Sequence, residues 1–85
     1  MVYPVAMDHL PALGANLRAA RKKAFHADTL ADFALRIGVS RATLQKMEQG
    51  DLSVSLGKYH SAATVLNLTA TFDSLLKPTE SLFDD

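Results

Sequence analysis

The sequence contains no cysteine. That absence excludes a disulfide framework, a thiolate metal site and a cysteine nucleophile, and makes the cytoplasm the natural compartment. Net charge is also missing: nine basic residues balance nine acidic ones. The opening MVYPVAM has no basic residue, and its apolar run is too short for a signal or a membrane span. There is no glycine-rich phosphate loop. His9, His26 and His60 lie far apart, none at i, i+4 from another histidine or a suitable carboxylate, so a metal site is not indicated and surface positions are expected. Asp84 and Asp85 sit together only at a terminus, a poor place to hold paired carboxylates. No enzyme, cofactor or metal is expected. Nor is there an internal repeat or a domain linker.

What remains is one small domain of 85 residues, 48% of them hydrophobic. That is ample for a helical core and leaves a surplus for a partner surface. The charge is polarised despite its zero sum. Residues 16–47 hold Arg18, Arg21, Lys22, Lys23, Arg36, Arg41 and Lys46 against Asp28 and Asp32, a net of plus five. Residues 48–85 hold Lys58 and Lys77 against Glu48, Asp51, Asp73, Glu80, Asp84 and Asp85, a net of minus four. Such a molecule draws phosphates to one side; the plainer reading is a chance clustering of solvated charges.

The periodicity predicts five helices and no strand. Residues 1–7, with Val2, Tyr3, Val5 and Met7 around Pro4, form an arm, either disordered or packed on a partner subunit. Asp8 is placed to cap a first helix whose first turn holds Pro11. Leu10, Leu13, Leu17, Ala20 and Ala24 make its apolar stripe, with Gly14 a candidate for a close contact. Arg18, Arg21, Lys22 and Lys23 crowd its C-terminal half, where cations suit the helix dipole. Asp28 or Thr29 caps the second helix, and Thr29 with Asp32 resembles a capping box. Near the other end, Ser55 is another cap, and Leu56, Tyr59, Ala63 and Leu66 form a stripe that Asn67 can end. Thr69 or Thr71 opens a last helix with Leu68, Phe72, Leu75 and Leu76 available for burial. Pro78 follows its end, and residues 79–85 make an acidic tail.

Phe33 to Glu48 organises the chain. Phe33, Ala34 and Ile37 recur at helical spacing and stop at Gly38, which can end a helix in the left-handed conformation. Val39 plugs inward, Ser40 caps the next helix, and Leu44 and Met47 face the core. Arg41, Ala42, Gln45 and Lys46 point away. Two short helices about a glycine turn, the second with a polar outer face, is the helix-turn-helix pattern of DNA readers.

Ile37–Gly38–Val39–Ser40–Arg41, Thr43–Leu44 and Met47–Glu48–Gln49–Gly50–Asp51 resemble the lambda-repressor-like family, also called the XRE or Cro type. Val54–Ser55–Leu56–Gly57–Lys58–Tyr59 is similar to the HipB-like antitoxins, and the resemblance runs from about Leu13 to Pro78. It implies an all-α, compact five-helix domain, spanning residues 8–78, that binds double-stranded DNA at a two-fold operator. It also implies a repressor that partners a HipA-like toxin kinase. Two departures stand out. The link before the second helix is about two residues longer than usual, and Leu30 replaces a glutamine that often touches phosphate. Arg41, Ala42 and Gln45 are the expected base readers, with a phosphate clamp as the other role open to Arg41. Ser40, Thr43, Lys46, Arg18 and Lys22 are the expected phosphate contacts. Val65, Leu68, Phe72, Leu75 and Leu76, with Tyr3 and Val5, are the expected homodimer interface. Glu80, Leu82, Phe83, Asp84 and Asp85 suggest a partner-binding peptide, set against an ordinary frayed end. A cytoplasmic protein, on the nucleoid when operator-bound, follows from this reading.

Overall fold

The computed structural model of the chain describes residues 8–79. The arm of residues 1–7 and the tail from Glu80 onward, with the roles expected of Tyr3, Val5, Leu82 and Phe83, lie outside the described residues. Five helices follow one another: α1 (Pro11–Ala24), α2 (Leu30–Ile37), α3 (Arg41–Glu48), α4 (Leu56–Val65) and α5 (Ala70–Asp73). Among the described residues there is no strand. One isolated bridge joins His9 and Asp51, where the Leu10 N–H donates to the Gly50 carbonyl and the Leu52 N–H to the Asp8 carbonyl, both at 2.8 Å.

The core sits where the apolar faces of α2 and α3 meet. Phe33, Leu44 and Met47 are fully buried, and Leu17, Ala34, Ile37, Tyr59 and Ala62 close around them. Fully burying a side chain of this size stabilises by about 1.5–3 kcal/mol, so this cluster contributes strongly to holding the α2–α3 angle. α1 packs on α3, and α4 on α2.

The junction between α2 and α3 is built as its residues require. The Thr29 N–H donates to the Asp32 carboxylate at 3.0 Å and the Asp32 N–H to the Thr29 hydroxyl at 3.1 Å, a reciprocal cap that opens α2. Gly38 ends it at φ 74°, ψ 31°. A Cβ there would meet nothing within 4 Å, so glycine serves the left-handed backbone rather than any lack of space. Val39 is half-buried against the core, as the pattern of the turn predicts. The Thr43 N–H then donates to the Ser40 hydroxyl at 3.0 Å, which opens α3.

Several expectations need correction. Asp8 does not cap α1; Leu10 holds that position with no side-chain cap, and the Asp8 carboxylate takes the His9 ring at 2.8 Å instead. Leu10 and Ala24 are exposed, and the stripe that α1 buries runs through Gly14, Leu17 and Arg21. Ser55 stands at the start of α4 without a side-chain cap bond, and Leu56 is exposed, so α4 buries Tyr59, Ala62 and Ala63 instead. Asn67 does take the left-handed conformation, at φ 58°, past the end of α4. α5 is only four residues long and has no side-chain cap, so Leu68, Leu75 and Leu76 remain exposed while Phe72 packs on the core.

Candidate nucleic-acid interface

The inward residues of α3 fix what its outer face can present. Leu44 and Met47 are fully buried. At about 100° per residue, Arg41, Ala42 and Gln45 must then share an outward sector, with Lys46 at its edge. All four side chains are exposed. Among the described residues Arg41, Gln45 and Lys46 make no side-chain hydrogen bond or ion pair. The structure therefore brings together the three residues expected to read bases. Ser40 and Thr43 are differently placed: beyond the cap, the Ser40 hydroxyl donates to the Thr43 hydroxyl at 2.9 Å, so the two are already engaged with each other.

Two grooves border α3, one at its C-terminal end and one along a flank. One, of about 420 Å³, lies against α1 and is lined by Pro11, Ala15, Arg18, Ala19, Lys22, Glu48 and Gln49. Its cations are the two expected phosphate contacts of α1. The other, of about 300 Å³, is lined by Thr43, Lys46, Ser53, Val54, Ser55 and Lys58. Here the structure adds residues that the sequence reading missed. Lys58 stands in the first turn of α4, where the helix dipole disfavours a cation, and the Ser55 hydroxyl before it makes no cap bond. That misfit was the available signal: a lysine at a helix start, behind two serines, suits an anion better than it suits the helix.

The loop between these helices is held firmly. The Asp51 carboxylate accepts from the Ser53 N–H and hydroxyl at 2.8 and 2.7 Å, and these bonds hold its pKa below the usual carboxylate range. The Tyr59 hydroxyl donates to the Asp51 carbonyl at 2.5 Å, while burial of the ring raises its pKa. His9 lies beside the same loop, with a pKa raised chiefly by its hydrogen bond to Asp8.

Two members of the basic half are committed elsewhere. Arg21, 7% exposed, donates through Nε and Nη2 to Glu48 at 2.5 and 3.0 Å, tying α1 to the end of α3. The signal for this was present: Leu17 and Arg21 are four apart, so an arginine falls on the apolar stripe and needs a buried acid. Arg36 donates to Asp28 at 2.6 and 3.1 Å and lies over the Phe25 ring, 4.3 Å from its centroid. This pair lowers the Asp28 pKa and pins the link to α2. Leu30, where an amide was missing, is half-buried against the core. His9, His26 and His60 are all exposed, and His60 stands edge-on to Phe72. Among the described residues no cluster is suited to a metal ion.

A glycine-turned helix pair with a free polar outer face defines a DNA-binding helix-turn-helix domain. The family model described as a helix-turn-helix domain matches residues 12–74 of the chain, and the chain belongs to that family, of the lambda-repressor-like kind. It is thus a DNA-binding transcription regulator. No curated protein is similar enough to the chain to stand as a relative. Among the described residues, no helix is long and apolar enough to cross a membrane.

Proposed function

We propose that the chain is a sequence-specific transcriptional repressor that binds a two-fold operator as a homodimer. The observation that carries this reading is the outer face of α3, where Arg41, Ala42 and Gln45 are exposed and the two polar side chains have no partner among the described residues. Arg41 pairs with guanine O6 and N7, Gln45 with adenine N6 and N7, and the Ala42 methyl meets a thymine methyl while letting the helix come close. Lys46, Lys58, Ser53 and Ser55 on one flank, and Arg18 and Lys22 on the other, hold the backbones on either side, with Ser40 and Thr43 at the start of α3. Val65, Leu68, Phe72, Leu75 and Leu76 form the dimer interface.

The finer role is that of a HipB-like antitoxin, which represses its own operon and binds a HipA-like kinase. It is supported by Val54–Ser55–Leu56–Gly57–Lys58–Tyr59, the stretch that carries that resemblance. Leu30 favours a second reading, an interaction module that has lost DNA binding. The unpaired cations beside α3 weigh against it. Selection of binding sites from random DNA, followed by anisotropy titrations on selected and scrambled duplexes, tests the main proposal. A symmetric site bound at least 1,000-fold more tightly than scrambled DNA is the expected outcome, since specific sites typically exceed non-specific ones by about 10³–10⁷. Failure to be retained on heparin at low salt would favour the interaction module. Co-purification with a kinase encoded beside it tests the antitoxin role, and a kinase-free neighbourhood would leave a stand-alone regulator.

A further inference from the structure

Leu76 is 99% exposed and its backbone stands at φ 59°. For a bulky side chain that conformation is unfavourable, unlike the similar one at Asn67, where a short polar side chain tolerates it. The fold therefore holds a leucine in water on a strained backbone: the strain opposes folding, and no burial of the side chain offsets it. Burial of that leucine in another molecule would account for both. The turn that carries it hangs directly on α5, where the Leu75 N–H donates to the Phe72 carbonyl at 3.1 Å, and Leu75 and Leu68 are exposed nearby at 50% and 41%.

Phe72 also walls an apolar groove of about 220 Å³ between α1, α4 and α5, whose other linings include Leu13, Leu17, Ala63, Leu66 and Leu68. No charged side chain lines it. Its volume is more than enough to admit a branched aliphatic side chain. Knob and groove are thus carried by neighbouring residues of α5 and the turn after it, so one two-fold patch can contain both and each copy give what it receives. The charges agree. Asp73 and Lys77 bracket the knob, both exposed, and neither has an ion-pair partner among the described residues. A two-fold arrangement sets Asp73 against the partner's Lys77, whereas a wholly apolar partner would leave both charges facing it.

We propose that Leu76 of each protomer inserts into the apolar groove of a second copy, with Asp73 and Lys77 pairing across the axis. This rests on the homodimer reading and specifies its contact. Sedimentation equilibrium of the full chain tests it. Leu76→Gly should raise the dimer dissociation constant on the order of 10²–10⁴-fold, because two leucines leave the interface together. The same variant, diluted until monomeric, should melt above the diluted parent, because glycine takes φ 59° freely. A merely structural leucine would lower that melting temperature. Asp73→Lys should weaken the dimer and Asp73→Lys with Lys77→Asp restore it. Leu35→Ser, at another exposed leucine, should leave it unchanged. In the cysteine-free parent, a mixture of Leu76→Cys and Asn16→Cys chains should form a mixed disulfide between copies. If the parent dimerises and Leu76→Gly shifts its constant by less than about twofold, the docking is wrong and the dimer stands. A parent monomeric at tens of micromolar overturns both. A cross-link from Asn16→Cys to Phe83→Cys within one chain would assign the groove to the tail instead and overturn the docking.

Discussion

Arg21 and Arg41 show how position decides what the same side chain does. Arg21 lies on the buried stripe of α1, forked onto Glu48, whose side chain is only 10% exposed. Replacing it by methionine strands a carboxylate out of water, which costs about 3–5 kcal/mol. Removing both partners, as Arg21→Met with Glu48→Leu, should cost much less, because no uncompensated charge remains. Urea unfolding of the two variants decides the matter; equal destabilisation would mean that the pair contributes by packing alone. Arg41 has the opposite profile, exposed and unpartnered at the start of α3. Arg41→Ala should leave stability within about 0.5 kcal/mol of the parent. On the selected operator it should cost about 1–3 kcal/mol and flatten preference at one base-pair position per half-site. Lys46→Ala should weaken selected and scrambled duplexes alike, as expected for a phosphate contact. An Arg41→Ala effect equal on both duplexes would move Arg41 from base reading to the phosphate clamp.

At the scale of elements, the contact between α1 and α3 sets how the motif is aimed. A Cβ on Gly14 would collide with the Glu48 carbonyl and come within 2.5 Å of the Gly50 nitrogen, both backbone atoms. Gly14→Ala gains up to about 1 kcal/mol of helix propensity, whereas overpacking typically costs about 1–3 kcal/mol. The net sign should be destabilising, and a higher midpoint in thermal unfolding would show that the helices can part without loss. The helices, the Gly38 turn, the Thr29–Asp32 box and the Ser40 cap were all legible because each rests on neighbours in sequence. The Gly14 contact was half-legible: a glycine in a helix announces a reason but not its partner. The Arg21–Glu48 and Arg36–Asp28 pairs join residues 27 and 8 apart, which periodicity cannot bring together. The α1 cap failed because the helix starts after Leu10 and the Asp8 carboxylate takes the His9 ring; Ser55 does hold the N-cap position of α4, but nothing in the structure explains why its hydroxyl makes no cap bond. The outer face of α3 was legible in full, since burying Leu44 and Met47 fixes which residues turn outward. The link before α2 has its own signature in pH. Arg36 lowers the Asp28 pKa, first through its hydrogen bond. The stabilisation is thus present above the ordinary carboxylate range and lost as pH falls through the lowered value. Arg36→Met should flatten the acid limb of stability against pH in that window, and an unchanged limb would assign it to Asp51 or other carboxylates.

For the whole molecule, zero net charge and DNA binding are compatible once the internal pairs are set aside. Arg21 and Arg36 are bound to Glu48 and Asp28. Residues 16–47 then keep Arg18, Lys22, Lys23, Arg41 and Lys46 against Asp32 alone, and Asp32 is engaged in its capping box. The pairing removes charge of both signs and leaves the cations that flank α3 free. These cations should not act equally. Arg18 and Lys22 line the groove beside Glu48 and Gln49, whereas Lys23 is turned about 100° from Lys22 and lines no groove among those described. Removing one cation that neutralises a phosphate should reduce the slope of log K against log salt concentration by about 0.9. Arg18→Gln with Lys22→Gln removes two per protomer, so for a dimer on its two half-sites, one turn or about 34–36 Å apart, the slope should fall by about 3.6. Lys23→Gln should leave the slope nearly unchanged, because its ammonium lies off the groove. Anisotropy titrations across a series of salt concentrations measure both. If Lys23→Gln and Lys22→Gln lowered the slope equally, a diffuse field around α1 would replace the discrete phosphate contacts assigned to its groove.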